Sequence, residues 1–130
     1  MSGTAYVDAS ALVKLVLDEP NSPAMFRWYV ESQRIATSRI GVIETRRAAA
    51  RGVHDPDRLR VILATVDVLE VLESIVERAS SVAPPALRTL DAIHLATALA
   101  LVPDLDAFVT YDDRLAEAAR SLGLPVVRPA

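Results

Sequence analysis

The chain has 130 residues, of which 52% are hydrophobic and 24% are charged. This is enough apolar material for the core of one domain, so an intrinsically disordered chain is excluded. The 17 acidic and 14 basic residues give a formal net charge of -3, which argues against a protein that binds nucleic acid only through bulk positive charge.

The first half of the chain alternates between strand-like and helix-like segments. Residues 4–8 form a short apolar run that ends in an acid, which predicts a buried strand. Ser10 is positioned to cap the helix that follows, and a proline near the start of 22–30 predicts a second helix. The segment 34–38 predicts the next strand, and 40–51 predicts the helix after it.

The second half continues this alternation. Helices are predicted to begin near Asp55, Glu73, Leu90 and Asp112, strands are predicted at 106–110 and 125–127, and 68–72 is ambiguous between strand and helix. Apolar strands that alternate with helices are typical of an α/β protein in which helices cover both faces of the sheet. We therefore predict a single domain over 1–130, folded as a three-layer α/β/α sandwich with a central, mainly parallel sheet.

Four acidic side chains stand out: two follow predicted strands, one opens a predicted helix and one lies inside a predicted helix. They are Asp8, Glu44, Asp91 and Asp112. Each has an ordinary structural explanation, because Asp91 and Asp112 suit helix N-termini, Asp8 could accept backbone N–H bonds at a turn, and Glu44 could pair with an arginine one turn along its helix. However, ligands of parallel sheets bind beyond the carboxyl ends of the strands, where these acids could meet.

A cluster of acids needs compensation, because two unit charges ~4 Å apart repel by about 4 kcal/mol at an effective dielectric constant of 20. Oxygen ligands select a hard cation such as Mg²⁺ or Mn²⁺. The chemistry that such a site favours is metal-assisted attack of water on a phosphodiester.

Four segments resemble, in order, the motifs of PIN-domain nucleases, and in particular those of the VapC toxins of bacterial toxin–antitoxin pairs. They are 6–15, 38–48, 90–98 and 109–115. The resemblance implies a PIN-like fold and a metal-dependent endoribonuclease that leaves a 5′-phosphate and a 3′-hydroxyl. It places the catalytic metal ligands at Asp8, Glu44, Asp91 and Asp112, holding one or two Mg²⁺ or Mn²⁺ ions.

Neighbouring polar residues have less specific roles. Ser10 and Thr110 stand beside proposed ligands and could orient their carboxylates or a metal-bound water. Asp113 could assist or replace Asp112, although the motif spacing favours Asp112. His94 is expected to be a buried, hydrogen-bonded residue rather than a metal ligand.

The resemblance also implies partners. Arg46, Arg47 and Lys14 are candidates for contact with the RNA backbone, with solvent-exposed ion pairs as the alternative. A VapC-like toxin is expected to form a homodimer, and to join a higher toxin–antitoxin assembly with a cognate VapB-like antitoxin. A PIN-domain nuclease of RNA processing and a non-catalytic PIN-like binding module are the alternatives.

Two other classes with acids at strand ends fit the residues poorly. A receiver domain needs an acidic pair after the first strand and a late lysine, and an Asp-x-Asp phosphatase needs a second aspartate where this chain has Ser10. The chain has no cysteine, which excludes thiolate zinc sites and disulfide scaffolds. With no signal-peptide pattern and no apolar run of ~20 residues, we expect a cytoplasmic protein without membrane contact.

Overall fold

The computed structural model describes residues 3–130, in which five strands alternate with seven helices. The strands are β1 (Thr4–Val7), β2 (Ile35–Ser38), β3 (Asp67–Leu69), β4 (Leu105–Val109) and β5 (Val126–Val127). The helices are α1 (Ala9–Val16), α2 (Ser22–Glu31), α3 (Arg39–Ala50), α4 (Pro56–Ala64), α5 (Glu73–Ser81), α6 (Thr89–Leu99) and α7 (Asp113–Ser121).

The strands form one sheet in the order β3-β2-β1-β4-β5, and all four pairs are parallel. The chain builds outwards from β1 through β2 to β3, and then returns to the other side of β1 to form β4 and β5. Connections therefore diverge between the carboxyl ends of β1 and β4, which is where open parallel sheets place their ligand sites.

Helices cover both faces of the sheet because side chains of successive strand residues point to opposite faces. On one face, Val7 and Val109 pack with the buried residues of α1, α2, α3 and α4. On the other face, Tyr6 and Phe108 pack with α6 and α7. The predicted three-layer α/β/α sandwich is thus confirmed, with a sheet that is wholly parallel over the described residues.

Two local predictions are settled by the structure. The ambiguous segment 68–72 contributes to β3, a short edge strand. The prediction that Ser10 caps α1 is wrong, because the helix begins directly after the strand and Asp8 is its N-cap. Asp8 Oδ1 accepts from the backbone N–H of Ala11 at 3.0 Å. Within residues 3–130, no helix is long and apolar enough to cross a membrane.

Candidate active site

A cavity of about 400 Å³ lies at the carboxyl ends of β1 and β4, and all four predicted acids line it. Each acid comes from a different part of the fold. Asp8 follows β1, Asp112 follows β4, Glu44 lies on α3 and Asp91 lies in the first turn of α6. The fold thus brings together residues that are more than a hundred positions apart in the chain.

Asp8 is the most deeply buried of these carboxylates, with 4% of its surface exposed. Three donors hold it: the Ser10 hydroxyl at 2.7 Å, the Thr110 hydroxyl at 2.7 Å and the Ala11 backbone N–H at 3.0 Å. Burial raises the pKa of the Asp8 carboxyl, while the charge of His94 and these three hydrogen bonds oppose the increase. The carboxylate is therefore fixed in place although its negative charge is poorly solvated.

The Ser10 and Thr110 hydroxyls also organise the segment that leads to Asp112. Ser10 Oγ accepts from the backbone N–H of Tyr111 at 2.8 Å, and Thr110 Oγ1 accepts from the backbone N–H of Asp112 at 3.0 Å. The two hydroxyl oxygens lie 3.3 Å apart. They join the end of β1 to the end of β4 and couple the position of Asp8 to that of the turn before α7.

Arg88 lies between the other two aspartates, although no sequence motif singles it out. Its Nε is 3.5 Å from Asp91 Oδ2, and its Nη2 is 3.6 Å from Asp112 Oδ2. These are ion-pair distances too long for good hydrogen bonds, and Asp91 Oδ2 is buried without a hydrogen-bond partner among the described residues. Burial and the charge of Asp112 raise the pKa of Asp91. The sequence feature that could have pointed to Arg88 is its position three residues before Asp91, a spacing that allows an ion pair across one helical turn.

Glu44 is bound by a histidine and not by an arginine of its own helix. His94 Nε2 lies 2.7 Å from Glu44 Oε1, and His94 Nδ1 lies 2.6 Å from the hydroxyl of Tyr6. As expected from the sequence, His94 is buried and hydrogen-bonded, with 2% of its surface exposed. Its contact with Glu44 was not predicted from the sequence.

Asp113 and Lys14 lie outside the cavity. The Asp113 side chain is 90% exposed and forms an ion pair with Arg128 at 2.7 Å. Lys14 pairs with Glu19 at 3.4 Å and lies over the ring of Tyr111. Neither residue is among those that line the cavity of the four acids.

The two candidate arginines of α3 lie in different grooves. Arg47 lines a groove together with Glu44 and Leu90, both of which also line the acidic cavity. Arg46 lines a separate groove formed largely by α4. Of the three basic residues singled out from the sequence, only Arg47 is therefore adjacent to the acids.

The acids have the right donor chemistry for a hard cation, but they do not form a closed coordination site. In the described part of the chain, no three Asp, Glu, His or Cys side chains stand close enough together to hold a metal ion. The buried Asp91 Oδ2 without a hydrogen bond is the observation that fits a cation, because such an oxygen needs a partner. The guanidinium of Arg88 supplies the nearest positive charge.

Comparison with known proteins gives consistent matches. The PIN domain family model matches residues 5–121. The chain is 37% identical over 130 residues to ribonuclease VapC47 of Mycobacterium tuberculosis, covering 95% of this chain and 96% of the relative. A toxin–antitoxin complex from Klebsiella pneumoniae contains a chain with a TM-score of 0.72 and 25% identity, covering 97% of this chain and 98% of that one. VapC20 of M. tuberculosis, a sarcin-ricin loop cleaving toxin, has a TM-score of 0.73 at 18% identity, covering 96% of this chain and 99% of that one, and supports the fold.

Proposed function

This chain belongs to the PIN-domain family, and from that membership we propose that it is a VapC-type endoribonuclease toxin that hydrolyses RNA phosphodiester bonds. The observation that carries the proposal is that four acids line one cavity at the carboxyl ends of β1 and β4, where the connections between strands diverge. They are Asp8, Glu44, Asp91 and Asp112. Ribonuclease relatives that match nearly the whole chain support the same activity. We further propose that 1–130 acts as a single domain and that it works in the cytoplasm.

One or two Mg²⁺ or Mn²⁺ ions are the proposed cofactors, held by Asp8, Glu44, Asp91 and Asp112. A bound ion supplies Lewis-acid chemistry, lowering the pKa of water and stabilising charge on the phosphate and leaving oxygen. The all-oxygen donor set and the unbonded Asp91 Oδ2 support a hard cation. Divalent ions would also move the formal net charge of -3 to about -1 or +1.

The chain's own residues prepare this site before any ligand arrives. The hydroxyls of Ser10 and Thr110 donate hydrogen bonds to the two oxygens of Asp8. The carboxylate is therefore held in one orientation and does not reorient when substrate enters. Thr110 at the same time fixes the backbone at Asp112. Such preorganisation reduces the reorganisation that a reaction would otherwise require.

Hydrolysis adds the oxygen of water to phosphorus and breaks the bond between phosphorus and the 3′-oxygen. The products are a 5′-phosphate and a 3′-hydroxyl, and the 2′-hydroxyl of the RNA is a recognition group and not the nucleophile. Among the candidate phosphate contacts, Arg47 is supported by its place beside Glu44. Arg46 and Lys14 are less well supported, because one lies in a separate groove and the other is paired with Glu19.

A VapB-like antitoxin is the proposed protein partner, and a homodimer within a larger toxin–antitoxin assembly is the proposed quaternary structure. The Klebsiella pneumoniae toxin–antitoxin complex supports the antitoxin. Exposed apolar side chains, including Phe26 and Val30 on α2, are available for such contacts.

The test uses Asp8→Asn, because asparagine can keep the cap of α1 while removing the charge. Wild-type protein should cleave RNA with Mg²⁺ or Mn²⁺, stop when EDTA is added and recover when the ion is restored. Asp8→Asn should remain folded and inactive, whereas Asp18→Asn, which is 94% exposed and only pairs with Arg58, should cleave normally. Cleavage by Asp8→Asn at the wild-type rate, or in EDTA, would refute the metal-site proposal.

Toxin and processing roles are separated by brief induction in cells followed by sequencing of RNA ends. New 5′-phosphate ends together with growth arrest, relieved by coexpression of a cognate VapB-like antitoxin, support a toxin. New ends without arrest would instead favour RNA processing, and the absence of new ends would favour a binding module.

A further inference from the structure

A chain of hydrogen bonds runs from the central strand to Glu44 through a histidine that the proposed hydrolysis does not use. It joins Tyr6 of β1 to His94 Nδ1 at 2.6 Å, and His94 Nε2 to Glu44 Oε1 at 2.7 Å. Tyr6 is fully buried and His94 is 2% exposed, so neither side chain contacts bulk solvent. These two hydrogen bonds therefore connect the core of the fold to one wall of the acidic cavity.

The direction of the bond to Glu44 follows from its acceptor. A carboxylate can only accept hydrogen bonds, so His94 Nε2 carries the proton that it shares with Glu44. In the neutral imidazole, Nδ1 is then an acceptor, and the Tyr6 hydroxyl supplies the proton to it. The bond from Nε2 to Glu44 has the same direction if the ring is charged, so it does not depend on the protonation state of the ring.

The packing around His94 leaves the ring little freedom. Its ring meets that of Tyr6 edge-on, with centroids 5.7 Å apart, and Tyr6 in turn stacks on Phe108 at 5.4 Å. On the other side, a Cβ on Gly41 would lie 3.3 Å from His94 Cε1, so the imidazole sits against the backbone of α3. Gly41 and Glu44 are three residues apart and thus share a face of that helix.

We propose that His94 is a positioning residue, whose Nε2–H fixes Glu44 Oε1 and leaves Glu44 Oε2 for a cation in the cavity. Tyr6 is the anchor that holds the imidazole. Asp91 lies one turn before His94 on α6, so this helix supplies one carboxylate directly and aligns a second one through its histidine. Hydrogen-bonding partners of metal-ligating side chains orient those ligands in general. The inference rests on the proposed role of Glu44 in the metal site.

The experiment measures Mn²⁺ binding to the full chain by isothermal titration calorimetry. His94→Gln retains an amide N–H near the position of Nε2, whereas His94→Asn places its amide nearer to Nδ1 and loses the bond to Glu44. We expect His94→Asn to weaken Mn²⁺ binding about 10- to 100-fold, and His94→Gln to restore most of this loss. Thr97→Val, a buried change on the same helix that removes only a bond to the Ile93 carbonyl, should bind like the wild type.

Two results would overturn the proposal: Mn²⁺ affinity that is unchanged in His94→Asn, or affinity that falls equally in the Asn and Gln variants. If His94→Asn does not fold, Tyr6→Phe decides, because it preserves the ring stack and removes only the anchor hydroxyl. Weaker Mn²⁺ binding by Tyr6→Phe supports the proposal, and unchanged binding overturns it.

Nuclear magnetic resonance separates this inference from the proposed function. In ¹⁵N-labelled protein without metal, the His94 Nε2–H resonance should shift when Glu44 is changed to Gln, and an unchanged resonance would overturn the hydrogen bond. Failure of the proposed function looks different: the resonance shifts as expected, but the wild-type protein binds no Mn²⁺, or Glu44→Gln binds it as tightly as the wild type.

Discussion

Thr110 is the residue whose removal tests the organisation of the site most directly. Thr110→Val preserves the shape of the side chain and removes a hydroxyl that donates to Asp8 Oδ2 at 2.7 Å and accepts from the Asp112 N–H at 3.0 Å. A hydrogen bond to a charged group is worth about 1.5–3 kcal/mol and a neutral one about 0.5–1.5 kcal/mol. We therefore expect the free energy of unfolding of the metal-free protein to fall by roughly 2–4.5 kcal/mol.

The pH dependence of this loss has a defined sign. Burial raises the pKa of Asp8, and the bond from Thr110 opposes that increase, so the variant should raise this pKa further. The full penalty is present at pH values above the raised pKa, where Asp8 is charged. It shrinks as the pH falls through that value, because protonated Asp8 needs its donors less.

The assay is urea unfolding in EDTA, from about pH 8 down to the onset of acid unfolding, since m-values report whether the transition remains comparable. Thr97→Val is the matched control: this buried hydroxyl bonds only a helix carbonyl at 2.7 Å, so its loss should cost about 1 kcal/mol and show no such pH dependence. Equal losses for the two variants at every pH would refute the reasoning.

Three further predictions concern the surroundings of the site. Asp112→Asn should reduce RNA cleavage strongly, because Asp112 lines the acidic cavity. Asp113→Asn should cleave near the wild-type rate, because the Asp113 side chain is 90% exposed and lies outside the cavity. The reverse order in a cleavage assay would make Asp113, and not Asp112, the functional residue. Arg88→Gln should tighten Mn²⁺ binding by up to about fivefold, because it removes a competing charge worth at most about 1 kcal/mol. Weaker binding in calorimetry would show that Arg88 assists the ion. Gly41→Ala should lower the free energy of unfolding by about 1–3 kcal/mol, since its Cβ would clash with Thr37 Oγ1. An unchanged urea midpoint would contradict the packing.

The alternation of apolar strands and helices was sufficient to predict the fold, because every crossover between parallel strands in this chain contains a helix. The ends of individual strands and helices were harder to predict from the sequence. The segment 67–69 is a three-residue edge strand with a mostly exposed or half-buried surface, so it lacks the continuous apolar pattern of β1 and β4. Serine is a residue type that favours the N-cap position. The structure shows, however, that Asp8 is the N-cap and that α1 begins at Ala9, which leaves Ser10 inside the helix.

Within the site, strand-end reasoning predicts Asp8 and Asp112 well, because the carboxyl ends of parallel strands share an edge. It does not predict the contact between His94 and Glu44, which are 50 residues apart and belong to helices on different faces of the sheet. It also does not predict Arg88, whose importance depends on two carboxylates that only the fold brings together. Contacts that depend on the relative placement of two helices leave no periodic pattern in either segment.

The ordinary and functional explanations of the aspartates are not alternatives, because a carboxylate has two oxygens. Asp112 Oδ1 accepts from the Leu115 N–H at 2.9 Å and caps α7, while its Oδ2 faces Arg88. Asp8 Oδ1 caps α1 in the same way, while its Oδ2 is bound by Thr110. The cap fixes the direction of the side chain, and a fixed direction is what a metal ligand requires. A helix that begins directly after a strand thus stabilises the fold and orients the proposed site with the same residue.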